Sequence, residues 1–209
     1  MCGRYHFNYQ AVDEMQELLA DGSWKMELAV EDRDIRPGDM APVIVAGGSL
    51  TKAGNDPKLQ MHRQRWGFPS PDGKGLVFNA RSETVFDKPM FRESVSLRRA
   101  AVPGTWFYEW NKSKEKYTFK KEGSRVLFLA GFYSLYEDGE HFVILTTEAN
   151  FSMSPVHDRM PVILEREDVG NWIFDEAKAR SILRKSQPQL DRSCEYEQQT
   201  LFDLLDTSI

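Results

Sequence analysis

Residues 105–110 read Thr105-Trp106-Phe107-Tyr108-Glu109-Trp110, and this aromatic run decides the fold class. Successive side chains of a β-strand point to opposite faces, so Phe107 and Glu109 share one face and the other three aromatic side chains share the opposite one. A carboxylate set among aromatic rings is desolvated, which suits it to proton transfer near neutral pH. The same segment is also compatible with an edge strand whose Glu109 points at water.

Further strand signals flank this run on both sides, separated by Gly and Pro pairs such as Asp138-Gly139. Short apolar or alternating runs occur at residues 43–46, 59–66, 76–79, 100–102, 117–119, 126–130 and 141–146. Apolar periodicity predicts helices at 11–20 and 166–184, the second stopped by Pro188. The whole pattern predicts a strand-rich α+β domain.

Composition fits a globular protein. The 209 residues are 41% hydrophobic and 28% charged, with a net charge of −5. No apolar stretch approaches the roughly 18 residues that a membrane span needs, and no signal peptide is recognisable. The two cysteines, Cys2 and Cys194, form no CxxC pair, so we expect a cytoplasmic monomer with reduced thiols and no metal site.

Charge is distributed unevenly along the chain. Residues 61–100 carry eight Lys and Arg against four Asp and Glu, although the chain as a whole is acidic. Such a basic stretch is more typical of a solvated surface than of a phosphate-binding track.

Cys2 is the first candidate for chemistry. Removal of Met1, which is common before a small residue, exposes an α-amine and a thiol on adjacent carbons. Their reference pKa values are about 7.7–8.0 and about 8.5, so both groups are partly deprotonated at neutral pH. Such a 1,2-aminothiol attacks an aldehyde with its amine and closes the imine with sulfur, which gives a thiazolidine ring. The alternative is that Cys2 is only a small residue after the initiator.

Two other segments place polar side chains beside predicted strands. The run Asn79-Ala80-Arg81-Ser82-Glu83-Thr84 combines an amide that can bind a sugar oxygen with an arginine that can bind a phosphate. It fits a turn with a surface ion pair equally well. The run His157-Asp158-Arg159-Met160-Pro161 sets a histidine beside an acid, as in general acid–base sites, although a histidine in this setting is commonly structural.

Five segments, taken in order, resemble the SRAP family, the SOS response-associated peptidases, which are also called abasic-site-processing proteins. They are Met1-Cys2-Gly3-Arg4, Trp66-Gly67-Phe68, residues 79–84, the aromatic-flanked Glu109-Trp110 and residues 157–161. The resemblance implies one SRAP-type α+β domain over residues 2–186, with mixed β-sheets curled around a core and flanking helices. Residues 187–209 would then form a tail.

The resemblance also implies a covalent mechanism on single-stranded DNA. After removal of Met1, Cys2 forms a thiazolidine crosslink with the ring-opened abasic sugar. Asn79 orients the sugar oxygen, Glu109 shuttles protons and His157 assists at the imine stage. No metal or organic cofactor is needed, because the protein's own amine and thiol do the covalent work.

Five further residues are implied as DNA contacts. Arg4, Arg81 and Arg159 would hold flanking phosphates. Trp66 and Trp110 would offer ring faces to bases or wall the pocket, in the way that single-strand binders use aromatic side chains.

Two other functions remain compatible with the same residues. One is a peptidase that uses Cys2 as nucleophile, with its own Met1 as substrate. The other is a non-catalytic single-strand-binding module, which predicts unchanged biological activity after Cys2→Ala. The supply of arginine and tryptophan favours DNA, because a self-cleaving peptidase needs no phosphate-binding groups.

The tail carries a motif of its own. Gln198-Gln199-Thr200-Leu201-Phe202 fits the Gln-x-x-Leu-Phe pattern of bacterial peptides that bind the replicative sliding clamp. Gln198 would anchor such a peptide by hydrogen bonds while Leu201 and Phe202 enter a hydrophobic groove. The alternative is a short terminal helix that packs these apolar residues on its own domain.

A pull-down with purified sliding clamp separates the two interpretations of the tail. If the tail binds the clamp, the wild-type chain is retained and the Leu201→Ala/Phe202→Ala variant is lost, because the groove contacts are gone. Thermal unfolding of both proteins is the control, since packing on the domain predicts a lower midpoint for the variant. Equal retention of both proteins contradicts clamp binding.

Overall fold

The computed structural model describes residues 2–8, 18–19, 32–47 and 58–194. Within these ranges the strands, numbered in chain order, form a five-stranded sheet, an eight-stranded sheet and a two-stranded ribbon. The predicted strand-rich α+β class is confirmed, and each predicted strand run overlaps an observed strand.

The five-stranded sheet carries the aromatic run 105–110. Its strands are, in spatial order, β15 (Asp191–Cys194), β10 (Lys116–Lys120), β9 (Trp106–Trp110), β1 (Tyr5–Phe7) and β2 (Arg33–Ile35). Phe107 and Glu109 are buried on one face of β9, as the alternation predicts, and the edge-strand alternative is wrong. We call the opposite face of this sheet the outer face.

The eight-stranded sheet curls into a barrel. Its path runs through β13 (Arg159–Pro161), β12 (Gly139–Glu148), β4 (Lys58–Trp66), β3 (Met40–Gly47), β8 (Arg99–Gly104), β11 (Leu127–Tyr136) and β14 (Ile163–Leu164). Because β12 also pairs with β11, the five central strands close on themselves. The short β7 (Asn79–Arg81) adds to β12 in parallel, and β5 (Phe68–Pro69) pairs with β6 (Leu76–Val77) as the ribbon.

Three short helices are described, α1 (Arg92–Leu97), α2 (Asp168–Phe174) and α3 (Glu176–Ile182). The prediction of one helix over 166–184 is wrong, because Asp175 interrupts it. Asp175 has an extended backbone, and its carboxylate accepts the amide hydrogen of Lys178 as the N-cap of α3. Trp172 and Ile182 point inward as predicted.

The domain extends beyond the predicted boundary at residue 186. Strand β15 pairs with β10 along its whole length, and its Cys194 is buried opposite Tyr117. Most of the predicted helix at 11–20, and the motif at 198–202, lie outside the described residues. In the described part of the chain, no helix is long and apolar enough to span a membrane.

The backbones of β11 and β12 lie close together at Gly131. It lies on β11 opposite Ile144 of β12, and a Cβ at this position would lie 2.8 Å from the carbonyl oxygen of Val143. A backbone oxygen within a sheet cannot move aside without disturbing the pairing. The β11–β12 contact that closes the barrel therefore requires a residue without a side chain at position 131.

We expect Gly131→Ala to lower the free energy of unfolding by about 1–3 kcal/mol, because the added methyl group overpacks the barrel wall. Urea denaturation measures the change. Gly170→Ala on α2 is the matched control, since no heavy atom lies within 4 Å of its added Cβ. It should leave stability unchanged or raise it by up to about 1 kcal/mol. Equal losses in the two variants would refute the steric explanation.

Candidate active site

The predicted site residues come from both sheets and meet where these sheets face each other. Cys2 precedes β1, which pairs with β9, and β9 carries Glu109. Asn79 begins β7 and His157 precedes β13, and both of these strands pair with β12 of the barrel. Arg81 and Pro161 are both register partners of Thr146, so a single position on β12 fixes the two barrel segments relative to each other.

Cys2 is buried and held by its backbone. The side-chain amide of Asn79 donates to the Cys2 carbonyl oxygen at 2.8 Å, which is a direct contact between the chain start and the barrel. Burial raises the pKa of the Cys2 thiol well above its usual value, and the negative charge of nearby Glu109 raises it further. The thiol is therefore protonated at neutral pH in this environment and needs a base before it can act as a nucleophile.

Glu109 and His157 lie close together in the site. Glu109 is 3% exposed, and its Oε1 lies 3.8 Å from Nε2 of His157. That separation is short enough for electrostatic attraction but too long for a direct hydrogen bond. A small movement of either side chain, or one hydroxyl group placed between them, would link Glu109 and His157 by hydrogen bonds.

Two contacts at Nδ1 of His157 bear on which ring nitrogen carries the hydrogen. Nδ1 accepts the backbone amide hydrogen of Arg159 at 2.9 Å, and it also lies 2.9 Å from the exposed carboxylate of Asp158. Nδ1 cannot accept from the amide and donate to Asp158 at once, and a backbone N–H is always a donor. The contact with the Arg159 amide favours hydrogen on Nε2, directed toward Glu109, whereas the contact with Asp158 favours hydrogen on Nδ1.

Asn79 presents an acceptor as well as a donor. Its Oδ1 is buried and has no hydrogen-bond partner in the described part of the chain, although its Nδ2 is engaged with Cys2. A buried acceptor without a partner costs free energy, so its retention is typical of a binding group. Arg81, two residues further along β7, is exposed.

Two predicted DNA contacts are placed differently from the expectation. Trp66 is fully buried: its indole nitrogen donates to the Phe78 carbonyl at 2.9 Å and its ring packs on Tyr5 and Phe142. Of the two roles expected for Trp66, its complete burial fits that of a wall residue and leaves no ring face open to a base. Arg159 donates two hydrogen bonds to the Glu83 carboxylate, at 2.7 and 2.9 Å, so it is engaged within the protein.

Arg4, two residues after Cys2, has partners that the sequence did not predict. Its guanidinium carbon is 5.1 Å from the centre of the Trp110 ring, and Nη1 is 3.9 Å from Asp34. Asp34 also accepts from the Tyr108 hydroxyl at 3.1 Å and contacts His6 at 3.0 Å. The only sequence signal for His6 was its alternation with the apolar Tyr5 and Phe7. Among the described residues, no cluster of His, Cys, Asp and Glu could hold a metal ion.

Curated proteins are similar in sequence to most of this chain. The chain is 29% identical over 188 residues to the abasic site processing protein YoaM of Bacillus subtilis, covering 83% of this chain and 79% of the relative. It is 28% identical over 193 residues to YedK of Escherichia coli, covering 86% and 82%. HMCES of Xenopus tropicalis matches at 26% identity, with coverage of 73% and 56%. Both of these relatives are also named abasic site processing proteins.

Solved structures show the same fold. A Bacteroides thetaiotaomicron protein superposes with a TM-score of 0.71 at 22% identity, covering 92% of this chain and 91% of the other. A phage-related protein from Bordetella bronchiseptica gives a TM-score of 0.72 at 23% identity, covering 92% and 93%. The family model for the SOS response associated peptidases matches residues 1–198, and the chain therefore belongs to that family, SRAP.

Proposed function

We propose that this protein processes abasic sites in DNA by covalent capture through Cys2, after Met1 has been removed. The observation that carries the proposal is the setting of Cys2, which is buried beside Glu109 with its backbone bonded to Asn79. A structural residue after the initiator needs no such setting. The relatives named abasic site processing proteins agree with this reading.

The order of the chemical steps follows from the protonation states. The thiol of Cys2 is held protonated, so the α-amine attacks first: its nitrogen bonds to the aldehyde carbon of the ring-opened sugar, and water leaves to give an imine. The sulfur then adds to the same carbon, and the thiol proton passes to the nitrogen. Ring closure is thus an isomerisation, and the complete reaction releases one water molecule for each thiazolidine formed.

Glu109 and His157 supply the proton transfers. Glu109 is the base near the thiol, and its charge is one of the causes of the raised pKa of Cys2. It also accepts the sugar hydroxyl proton when the abasic ring opens, while Nε2–H of His157 stabilises the oxygen that leaves as water. General acid–base catalysis of this kind accelerates a step by about 10²- to 10⁴-fold.

Substrate positioning is assigned to Asn79, Arg81 and Arg4. The buried Oδ1 of Asn79 accepts a hydroxyl hydrogen of the opened sugar, which satisfies the group that lacks a partner within the described residues. The exposed Arg81 and the half-exposed Arg4 hold phosphates on the two sides of that sugar. The strand is single, because an opened sugar has to turn out of a duplex to reach a buried residue.

Two further activities belong to the same site. The imine that precedes ring closure also permits loss of the 3′ phosphate by β-elimination, which is lyase activity. Removal of Met1 by the protein itself would use the same acid–base pair. The Asn79 amide donates to the carbonyl of Cys2, which supports a role in positioning the nucleophile.

Covalent capture is tested by mixing the protein with a single-stranded oligonucleotide that carries one abasic site. Intact mass spectrometry should show an adduct equal to both masses minus one water, on chains that lack Met1. Cys2→Ala should give no adduct and Glu109→Gln should form it about 10²- to 10⁴-fold more slowly. Cys194→Ala is the matched control and should react as the wild type does. An adduct on Cys2→Ala, or none on the processed wild type, would contradict the proposal.

The raised pKa of Cys2 predicts the pH dependence of its alkylation on chains that retain Met1 and carry Cys194→Ala. A higher pKa in the folded state keeps the thiol protonated, so the alkylation rate should rise with pH through a midpoint above about 8.5, the value of a free cysteine. Steric protection alone would slow the reaction without moving the midpoint. Glu109→Gln should lower the midpoint, because a negative charge is removed. Mass spectrometry, which separates chains with and without Met1, measures the alkylation rate of both proteins. A midpoint at or below that of the urea-unfolded chain would contradict the expectation.

A further inference from the structure

The outer face of the five-stranded sheet carries a row of aromatic rings, each with a cation above it. On β9 these rings are Trp106, Tyr108 and Trp110, which lie on the face opposite Glu109. Lys120 Nζ lies 4.5 Å from the centre of the Trp106 ring, and Lys116 Nζ lies 5.0 Å from that of Tyr108. Arg4, two residues after Cys2, completes the row over Trp110. We call these three pairs the cation–aromatic row.

The row leads from the site to a small pocket at its far end. The rise of a β-strand places Trp106 about 13 Å from Trp110. The pocket, of about 170 Å³, is lined by Asn8, Thr105, Trp106, Lys120, Ser124 and Arg125. Asn8 is 8% exposed, and its Oδ1 is buried and without a hydrogen-bond partner in the described part of the chain. Oδ1 is an acceptor, so only a hydrogen-bond donor of a ligand can pair with it, and contacts to phosphate at this end of the row fall to Lys120 and Arg125.

Acidic side chains lie on the β1–β2 side of the row, where Asp34 also contacts Arg4 and the Tyr108 hydroxyl, and on the edge strand β15. Asp32 and Asp34 contact His6 on the β1–β2 side. Asp191, the register partner of Lys120, lies on the edge strand β15. The centre of the face therefore presents positive charge along β10, where Lys116 and Lys120 point to the same side four residues apart.

We propose that the cation–aromatic row and its pocket bind the phosphates of the DNA strand on one side of the abasic site. The proposal rests on the proposed function, which brings a single strand to the mouth of the site beside Arg4. From there the backbone of the strand runs along the outer face, past Lys116 to Lys120 and Arg125. The row is thus a binding subsite outside the residues that carry out the chemistry.

The geometry selects phosphates over bases as the groups bound at Trp106. The ring of His6 stacks on Trp106 at 4.0 Å with an angle of 2° between the planes, and Lys120 lies over the same ring. Strands β1 and β10 flank β9 on opposite sides, so both faces of the indole are covered and a base cannot stack there. Instead the rings hold the ammonium groups in place before the strand arrives, which lowers the entropy lost on binding.

The salt dependence of binding to an undamaged single strand tests the row without any covalent step. Each phosphate contact contributes about 0.7 to the slope of log affinity against log salt for single strands. Lys116→Gln and Lys120→Gln should each reduce the slope by about that amount. Lys178→Gln on α3 removes the same charge away from the row and should leave the slope unchanged. Unchanged slopes in both row variants, or an equal reduction in the control, would overturn the proposal.

The rate of crosslinking shows which side of the abasic site uses the row. Three oligonucleotides are compared at limiting protein: one with short flanks, one extended only on the 5′ side and one only on the 3′ side. We expect one extension to accelerate capture, and Lys120→Gln to abolish that gain while leaving the short oligonucleotide unaffected. The proposed role of the row would be refuted if neither extension accelerated capture, or if Lys120→Gln slowed capture of the short oligonucleotide equally. Absence of any wild-type adduct would instead refute covalent capture, and the salt slopes would still decide on the row.

Discussion

The pairing of β1 with β9 is the constraint on which the site depends. Strand β1 has three residues, and the fully buried rings of Tyr5 and Phe7 hold it in place. Burial of each such side chain stabilises the pairing by about 1.5–3 kcal/mol. The amide of Tyr108 donates to the carbonyl of Arg4 at 3.0 Å, which extends the pairing toward the chain start. A slip of one residue would turn both rings to solvent, so the register that brings Cys2 near Glu109 is strongly specified.

Strand β9 serves two purposes because its side chains alternate. The inner face gives Glu109 a buried position between the two sheets, close to Cys2 and His157. The outer face, which includes Trp106, places its rings beneath the lysines of β10. Each face can change without altering the other, since period-two alternation separates them. The proposed chemistry and the proposed strand binding would thereby be combined in the five residues of β9.

The sequence predicted those strands that are long enough to show a pattern of alternating or apolar residues. The alternation of β9 gave the buried face of Glu109, and the apolar runs gave every strand of the closed barrel. Strands β1, β2, β7 and β13 have three residues each, too few to show a period, and they owe their structure to their pairing partners. Trp66 shows the other limit: a motif marks a residue as important, but only packing distinguishes a buried ring from one that contacts bases.

Counts of charge along the sequence do not show which cations can bind a ligand, because some are buried and others are paired within the protein. The basic stretch at 61–100 includes Arg99, which is buried and donates to carbonyls of α1 and α2, and Arg98, which pairs with Glu93. The lysines of β10 lie outside that stretch, and three residues without charge separate them along the strand.

A chain of net charge −5 does not attract DNA at long range, and at physiological salt charges are screened beyond about 8 Å. Recognition therefore has to be made at contact distance, by a few cations already in position. A covalent step suits such a protein, because a bond formed during a brief encounter makes the lifetime of the complex independent of the affinity that preceded it. Under the proposed mechanism, weak attraction and covalent capture act together: undamaged strands, which offer no aldehyde, would be released, and only the damaged strand would be retained.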